Sequence, residues 1–355
     1  MAKKIILTGG GTAGHVTPNI ALLPGLRERG FEIRYIGSYE GMEKGLIEAE
    51  GIPYDGIATG KFRRYFSLKN ITDIGNVVKG FNEAKKFIKT YQPDVVFSKG
   101  GFVSVPVVLA AHSQKVPVII HESDMTPGLA NKLSFSSTTK ICCNFPETVA
   151  ALPKEKAVLS GSPIRKELLS GSKEAGLQFT GLKGEKPILL MIGGSTGARH
   201  LNEVLRASLD RLLPDFDVIH LCGKGNLDEA LKDREGYCQY EYISAELKDL
   251  FAAADVVFSR AGANAICELL ALQKPNLLVP LSKAASRGDQ ILNARSFEKQ
   301  DFSMVIEEEE LTEDALVEGL KKLYENRETY QKAMAESSQS NGVDVILGLI
   351  DEITK

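Results

Sequence analysis

The five cysteines, Cys142, Cys143, Cys222, Cys238 and Cys267, form no C-x-x-C pair and no His/Cys cluster. This excludes a disulfide framework and a zinc-finger spacing, and the thiols read as reduced packing groups. No run approaches the ~18–20 apolar residues of a membrane span. Met1-Ala2-Lys3-Lys4 leads into only Ile5-Ile6-Leu7 before glycines begin, too short for the apolar core of a signal peptide. The net charge of −3 is too small to point to nucleic acid, and the chain reads as lacking a metal-chelating Asp-x-Asp. What is left is a chain of 355 residues, 25% charged and 43% hydrophobic, ordinary for a soluble protein and sufficient for two α/β domains. The expectation is a cytosolic protein, or one held at a membrane only by its surface.

Glycine is where the chain is rich. Ile5-Ile6-Leu7 runs into Gly9-Gly10-Gly11-Thr12-Ala13-Gly14-His15, and a helical stretch follows from Pro18 to Gly30. Strand, glycine loop and helix start together aim backbone N–H groups and a helix dipole at an anion. Half a chain later Pro187–Ile192 runs into Gly193-Gly194-Ser195-Thr196-Gly197-Ala198-Arg199 in the same way. Gly9-x-Gly11-x-x-Gly14 also has the dinucleotide spacing, but the second strand ends Ile36-Gly37-Ser38 without the acid a ribose needs. Nor is it a P-loop, since His15-Val16 stand where Lys-Ser/Thr is required.

Further strands read as Glu32–Gly37, Asp94–Ser98 and Pro117–Glu122, then Ile188–Ile192, Asp217–Leu221, Tyr240–Ile243, Asp255–Ser259 and Asn276–Pro280. With helices between them, they predict doubly wound parallel sheets whose ligands sit beyond the strands' carboxyl ends. Residues 166–186 lose apolar periodicity and read as an interdomain linker, and Glu307–Glu310 reads as a solvated acidic turn. Residues 61–90 carry eight positive against two negative side chains. Arg63, Arg64 and Lys69, with Ile74, Val78 and Phe81 at helical spacing, describe either a face for an anionic membrane or one side of an ordinary packed helix.

Without a metal, a diphosphate leaving group needs backbone N–H groups, a helix dipole and a fixed cation. Ser195, Thr196 and Arg165 are available for this, Glu268 for two ribose hydroxyls, and Asp289 and Gln290 for sugar hydroxyls. That set describes a nucleotide-sugar site. Open alternatives are a transferase acting on a soluble acceptor, a nucleotide-sugar epimerase and a non-catalytic sensor of the sugar nucleotide.

In order and spacing, Gly10–His15, Gly100-Gly101-Phe102-Val103-Ser104, His121-Glu122, Pro163-Ile164-Arg165, Gly193–Arg199, Arg260-Ala261-Gly262-Ala263, Glu268 and Gly288-Asp289-Gln290 resemble the MurG family over nearly the whole chain. These are the peptidoglycan N-acetylglucosaminyltransferases. The resemblance implies a GT-B fold, two Rossmann-like domains facing a cleft. Residues 1–164 would face acceptor and membrane, residues 165–339 would bind the donor, and the helix of 340–355 would pack back on the first domain. It implies inverting transfer from UDP-N-acetylglucosamine to the C4 hydroxyl of undecaprenyl-pyrophosphoryl-N-acetylmuramoyl-pentapeptide, lipid I to lipid II. It also implies a peripheral place on the cytoplasmic face of the cell membrane, no cofactor and no metal, and other cell-wall synthesis proteins as partners.

Carried over residue by residue, the resemblance puts Thr12, Ala13, Gly14, Asp124, Arg165, Ser195, Ile243, Glu268 and Gln290 on the donor. Gly194, Thr196, Ala263 and Asp289 are further contacts. Ala13 and Asp124 depart from the family's glycine and asparagine. His15 is the candidate base, since an unperturbed imidazole titrates near neutral pH, and Glu122 is its rival.

Overall fold

Alternation along the first strand already shows a sheet covered on both faces. The computed structural model describes residues 2–60, 69–194, 197–283 and 288–355, with only the backbone for 69–72. In β1 (Lys4–Thr8) Ile5 and Leu7 join a core with Leu22, Leu26 and Tyr35, while Ile6 joins Val96, Val107 and Ile120 on the opposite face. Burial on both faces is what all-parallel sheets demand.

The chain divides into two units, Met1–Arg165 with Asn341–Lys355, and Lys166–Ser340. In the first, β2 (Glu32–Ser38), β3 (Tyr54–Ile57), β4 (Val95–Ser98), β5 (Val118–Glu122), β6 (Lys140–Cys143) and β7 (Ala157–Leu159) complete a parallel sheet of order β3-β2-β1-β4-β5-β6-β7. The order reverses between β1 and β4, so the loops after these strands flank the switch point where such sheets bind ligands. The last helix, Gly342–Ile353, buries Ile346, Leu347 and Ile350 in the core beside β1. It fits because Gly25 has no side chain: a Cβ there would lie 2.3 Å from Leu347 Cδ1. Arg29 pairs with Asp351 at 2.8 Å over the same seam.

The second unit repeats the plan. Strands β8 (Ile188–Ile192), β9 (Asp217–Leu221), β10 (Tyr237–Tyr240), β11 (Val256–Ser259), β12 (Asn276–Leu278) and β13 (Met304–Val305) run parallel in the order β10-β9-β8-β11-β12-β13. The tenth strand lies three residues earlier than its sequence reading. Tyr237 is buried and its hydroxyl meets His220 Nδ1 at 2.8 Å, which fixes the register Tyr237 to Val218.

Residues 166–186 are not a linker. Ser172 caps a helix over Lys173–Thr180 by accepting from the Ala175 amide at 3.2 Å, and Gly181 ends it in the left-handed region. Gly176 lets this helix close on Leu247–Ala253, since a Cβ there would sit 2.4 Å from the Asp249 carbonyl. The acidic turn is also more than solvated: Glu307 accepts from Arg295 at 2.6 Å, and Glu308 is half-buried against Arg260.

Candidate active site

The carboxyl edge of the first sheet gathers Gly9–His15 after β1, Lys99–Gly101 after β4 and Ser123–Gly128 after β5. The first two loops touch closely: a Cβ on Gly101, whose φ is +83°, would lie 2.4 Å from the Gly10 carbonyl and 3.3 Å from His15 Nδ1. A side chain at position 101 would therefore part the loops or displace the imidazole.

The first glycine loop is not the open anion cradle its sequence suggests. His15 and Val16 donate their amides to Thr12 and Ala13 carbonyls, at 3.1 and 2.9 Å. The Gly11 amide donates to Glu43 Oε2 at 3.3 Å. Glu43, fully buried at the start of the helix Met42–Ala49, also accepts from the Ser38 amide at 3.0 Å and from its hydroxyl at 2.5 Å. A carboxylate thus already sits against this loop and would repel a phosphate placed on the same amides. Sequence reasoning missed Glu43 because it lies over thirty residues from the loop it holds.

His15 is half-buried and its Nδ1 lies 3.0 Å from the Thr12 hydroxyl. Burial, then the Lys99 charge, push its imidazole down to about 4, against opposing pulls from the Gly10 carbonyl and Glu43. The imidazole is therefore neutral at physiological pH, ready to accept a proton but less basic than the unperturbed value assumed from sequence. Glu122 is spent differently. Its carboxylate accepts from the Asp124 amide at 3.1 Å, the Gly128 amide at 3.0 Å and Asn131 Nδ2 at 2.9 Å. Burial raises its proton affinity and these donors oppose the rise. With both oxygens engaged, Glu122 braces the loop that carries Asp124, which is a poor position for a base. His121 is buried on Gly161 and His220 on Tyr237 and Asn202, so both are packing groups.

Three helices of the second unit start at the carboxyl edge of its sheet: Arg199–Ala207 after β8, Ala263–Ala271 after β11, and Asp289–Lys299 beyond β12. None carries a side-chain cap at its N-terminus. Uncapped starts on one sheet edge bring positive dipole ends to an anion. Gly194 is exposed before the first of them, Ala263 opens the second, Glu268 is half-buried along it, and Asp289 and Gln290 open the third after Gly288 at φ +80°. Ile243 follows β10 on the same edge. Gln290 Oε1 accepts from the Leu281 amide at 3.1 Å, so its carbonyl end is already used in folding the 281 turn.

Arg260, just before the second helix, is paired with Glu308 and donates to the Val279 carbonyl at 3.3 Å. Burial alone would raise the Glu308 carboxyl; Arg260 and the Ser282 amide outweigh it and hold the group low. In the first unit, Arg165 has a buried Nε with no hydrogen-bond partner among the described residues, an N–H suited to an anion. Ser195, Thr196, Arg63 and Arg64 lie outside the described residues, as does the side chain of Lys69. Ile74 and Val78 are 52% and 56% exposed and Phe81 is half-buried, so the packed-helix reading fails for the first two.

Among the described residues no group of three or more His, Cys, Asp or Glu is placed to hold a metal ion. Asp215-Phe216-Asp217 does have the Asp-x-Asp spacing, which sequence reading passed over. However, it sits at the amino end of β9, with Asp217 on Lys186 at 3.4 Å and Asp215 on Lys321 at 2.7 Å. No helix among the described residues is long and apolar enough to cross a membrane.

Residues 5–143 match the glycosyltransferase family 28 N-terminal domain, and residues 188–348 match its C-terminal domain. A protein of Lachnoclostridium phytofermentans named UDP-N-acetylglucosamine–N-acetylmuramyl-(pentapeptide) pyrophosphoryl-undecaprenol N-acetylglucosamine transferase is 62% identical, with 99% of each chain covered. A relative of the same name from Lachnospira eligens is 61% identical over 99% of this chain and 100% of its own. The crystal structure of MurG from Acinetobacter baumannii aligns with a TM-score of 0.77 at 24% identity, covering 99% of both chains. A UDP-GlcNAc 2-epimerase from Neisseria meningitidis, bound to UDP-GlcNAc, aligns at 0.66 and 13% identity, covering 99% of this chain and 100% of that one. At those identities the structural likenesses speak for the fold alone, while both domain matches and the end-to-end relatives make the chain a glycosyltransferase that belongs to family 28 and, within it, to the MurG family.

Proposed function

We infer that the chain moves N-acetylglucosamine from UDP-N-acetylglucosamine to the C4 hydroxyl of undecaprenyl-pyrophosphoryl-N-acetylmuramoyl-pentapeptide, converting lipid I to lipid II in peptidoglycan synthesis. The observation that carries this reading is end-to-end identity of 59–62% with relatives bearing that transferase's name. The uncapped helix starts of Lys166–Ser340 support a diphosphate there, and the Glu43 carboxylate argues against one on the first loop.

In the proposed reaction the C4 oxygen attacks C1 of the donor sugar and the bond from C1 to the UDP oxygen breaks. UDP departs with the electron pair from the opposite face, and the hydroxyl proton goes to His15 Nε2. In this step Nδ1–H donates a hydrogen bond to the Thr12 hydroxyl, which leaves Nε2 unprotonated. Arg165, Ser195, Thr196 and Gly194 take the phosphates, Ile243 frames the uracil, and Glu268 takes the ribose. Gln290, Asp289, Ala263, Ala13, Gly14 and Asp124 line the sugar. Because the Gln290 carbonyl already holds Leu281, a sugar hydroxyl meets its amide NH2. Arg63, Arg64, Lys69, Ile74, Val78 and Phe81 meet anionic lipid at the cytoplasmic face of the membrane, where other cell-wall synthesis proteins are the expected partners. No cofactor is required.

The test is UDP release from UDP-N-acetylglucosamine with and without a short-chain lipid-linked muramoyl-pentapeptide. Acceptor-dependent release with a disaccharide product is expected. Release without acceptor, accompanied by free N-acetylmannosamine, would overturn the transferase reading in favour of an epimerase, whose fold is shared.

A further inference from the structure

We propose that a cavity beside the first glycine loop holds the peptide of the acceptor, with Lys79 taking a carboxylate of that peptide and Asn76 and Thr59 its backbone amides. The inference rests on the reading that the acceptor is a muramoyl-pentapeptide whose C4 hydroxyl reacts at His15.

The cavity has a volume of about 410 Å³ and opens at the carboxyl ends of β2 and β3. Pockets of about 300–1,000 Å³ suit ligands of small-molecule size, so it admits part of a peptide and leaves the rest outside. Its walls are residues 38–41 after β2, residues 57–59 at the end of β3, and Asn76 and Lys79 from the helix Lys69–Tyr91. These walls are fastened to one another. Gly80 lets the helix meet the chain after β3, since a Cβ there would collide with the Ala58 carbonyl. Glu83, one turn beyond Lys79, accepts from the Ala58 amide at 2.8 Å and from the Tyr39 hydroxyl at 2.7 Å. Both of its oxygens are thus used, and the Lys79 ammonium lies 3.8 Å away, beyond hydrogen-bond length. Lys79 is the one cation among the described residues of the walls, and its side chain is 63% exposed. It can turn to an incoming carboxylate without costing the fold a hydrogen bond.

Position selects the peptide as the occupant. β1 and β2 are neighbours in the sheet, so the loop that carries His15 and the cavity wall after β2 start about 4.8 Å apart. Glu43 ties the two together by accepting from the Gly11 and Ser38 amides. In a muramoyl sugar the peptide hangs from a lactyl group on C3, the carbon next to C4. A C4 hydroxyl at His15 therefore starts the peptide a few bonds from this loop. On the β4 side the loop is closed by the approach of Gly101 to Gly10, whereas on the β2 side lies the cavity. A peptide attached through its N-terminus also keeps a C-terminal carboxylate, the anion that Lys79 would meet. Helix geometry adds a second constraint. At about 3.6 residues per turn, Ile74 and Val78 share one flank of the helix, and Asn76 and Lys79 fall on another. The exposed apolar flank assigned to lipid and the polar wall of the cavity thus belong to one helix, as suits an acceptor with a lipid end and a peptide.

The test compares two short-chain lipid-linked acceptors in neutral detergent, one with the pentapeptide and one with its first residue alone. Each is given to the unaltered protein, to Lys79→Met and to Asn76→Trp, whose bulk would fill the cavity. Both positions are exposed, so the thermal midpoint should stay in place. With the pentapeptide acceptor, kcat/KM should fall about fivefold or more in each variant, through KM. The single-residue acceptor and the donor KM should not change. Equal losses with both acceptors would overturn the proposal, because Lys79 would then serve the diphosphate or the lipid that both share. Unchanged kcat/KM with both would overturn it as well. Absence of transfer to either acceptor by the unaltered protein would overturn the transfer reading itself and the cavity's role with it, a result distinct from turnover that ignores Lys79 and Asn76.

Discussion

His15 Nδ1 and the Thr12 hydroxyl lie 3.0 Å apart within one short turn, and the half-buried imidazole feels the Lys99 charge. The contact orients the ring, and the surroundings keep it neutral. If His15 takes the acceptor proton, His15→Ala should lower kcat by about 10²–10⁴-fold, the usual worth of a positioned general base, while UDP binding by calorimetry stays unchanged. Equal loss of donor affinity would make His15 a binding residue instead.

The same geometry fixes a pH dependence. A base held down to about 4 stays unprotonated well below neutrality, so the acid limb of kcat/KM should fall near pH 4 to 5. That quantity reports the free enzyme's essential groups. A limb centred at an unperturbed histidine value of about 6.5 would show that the base is some other group.

Glu43 offers a test through stability. Its carboxylate accepts from the Gly11 amide, the Ser38 amide and the Ser38 hydroxyl in a fully buried setting. Glu43→Gln places an NH2 against donors, and a buried donor left without an acceptor costs about 1–3 kcal/mol. Urea unfolding should shift by that amount, with a fall in activity as the first glycine loop loosens. An unchanged midpoint would mean that the loop holds its shape without this carboxylate.

Much of this architecture is legible in the sequence, for reasons particular residues make plain. Ile5-Ile6-Leu7 before Gly9 and Ile188–Ile192 before Gly193 are short runs that both faces of a parallel sheet must bury, followed by residues that can turn sharply. The edge of the site is legible too, because parallel strands all deliver their following loops to one side. Partnerships across distance are not. Nothing local marks Glu43 as the carboxylate under Gly11, Lys99 as the cation beside His15, or Glu308 as the partner of Arg260. The 166–186 segment looked like a linker because a helix narrowed by Gly176 has little apolar periodicity. Tyr237 was overlooked as a strand start because its anchor, His220, comes from the neighbouring strand.

Acid should weaken the fold. The imidazoles of His15, His121 and His220 are all held below the ordinary value, chiefly by burial, His220 to about 3. The unfolded chain therefore binds more protons than the native one below about pH 6.5. Their stabilising effect is complete above that pH and is lost as pH falls toward their native values, at up to about 1.4 kcal/mol per pH unit for each fully buried ring. Glu122, raised by burial, acts in the opposite sense above the ordinary carboxyl range. Urea midpoints should fall from pH 7.5 to pH 5, and His220→Gln should flatten that slope. A midpoint independent of pH would mean that the rings protonate in the native state.

Ribose recognition is testable at Glu268, half-buried on the helix Ala263–Ala271. If the Glu268 carboxylate accepts from two ribose hydroxyls, as proposed, its removal leaves the ligand's polar groups unpaired, at about 1–3 kcal/mol. Glu268→Ala should therefore weaken UDP binding about 5–150-fold by calorimetry, with little change in thermal midpoint without ligand. Unchanged UDP affinity would remove Glu268 from the ribose.

Membrane attachment is testable at Ile74 and Val78, since both are more than half exposed on the helix Lys69–Tyr91. Farther along that helix Ala84 and Ile88 are buried in the core, so the two regions separate folding from docking. An apolar side chain that enters the lipid interface gains roughly the transfer energy of its buried area, about 1.5–3 kcal/mol when complete. Replacing Ile74 and Val78 together with Ser should therefore weaken binding to anionic vesicles at least about tenfold while leaving the thermal midpoint in place. Salt should weaken the residual binding further if basic side chains contribute. Full vesicle binding by the double variant would remove this face from the membrane contact.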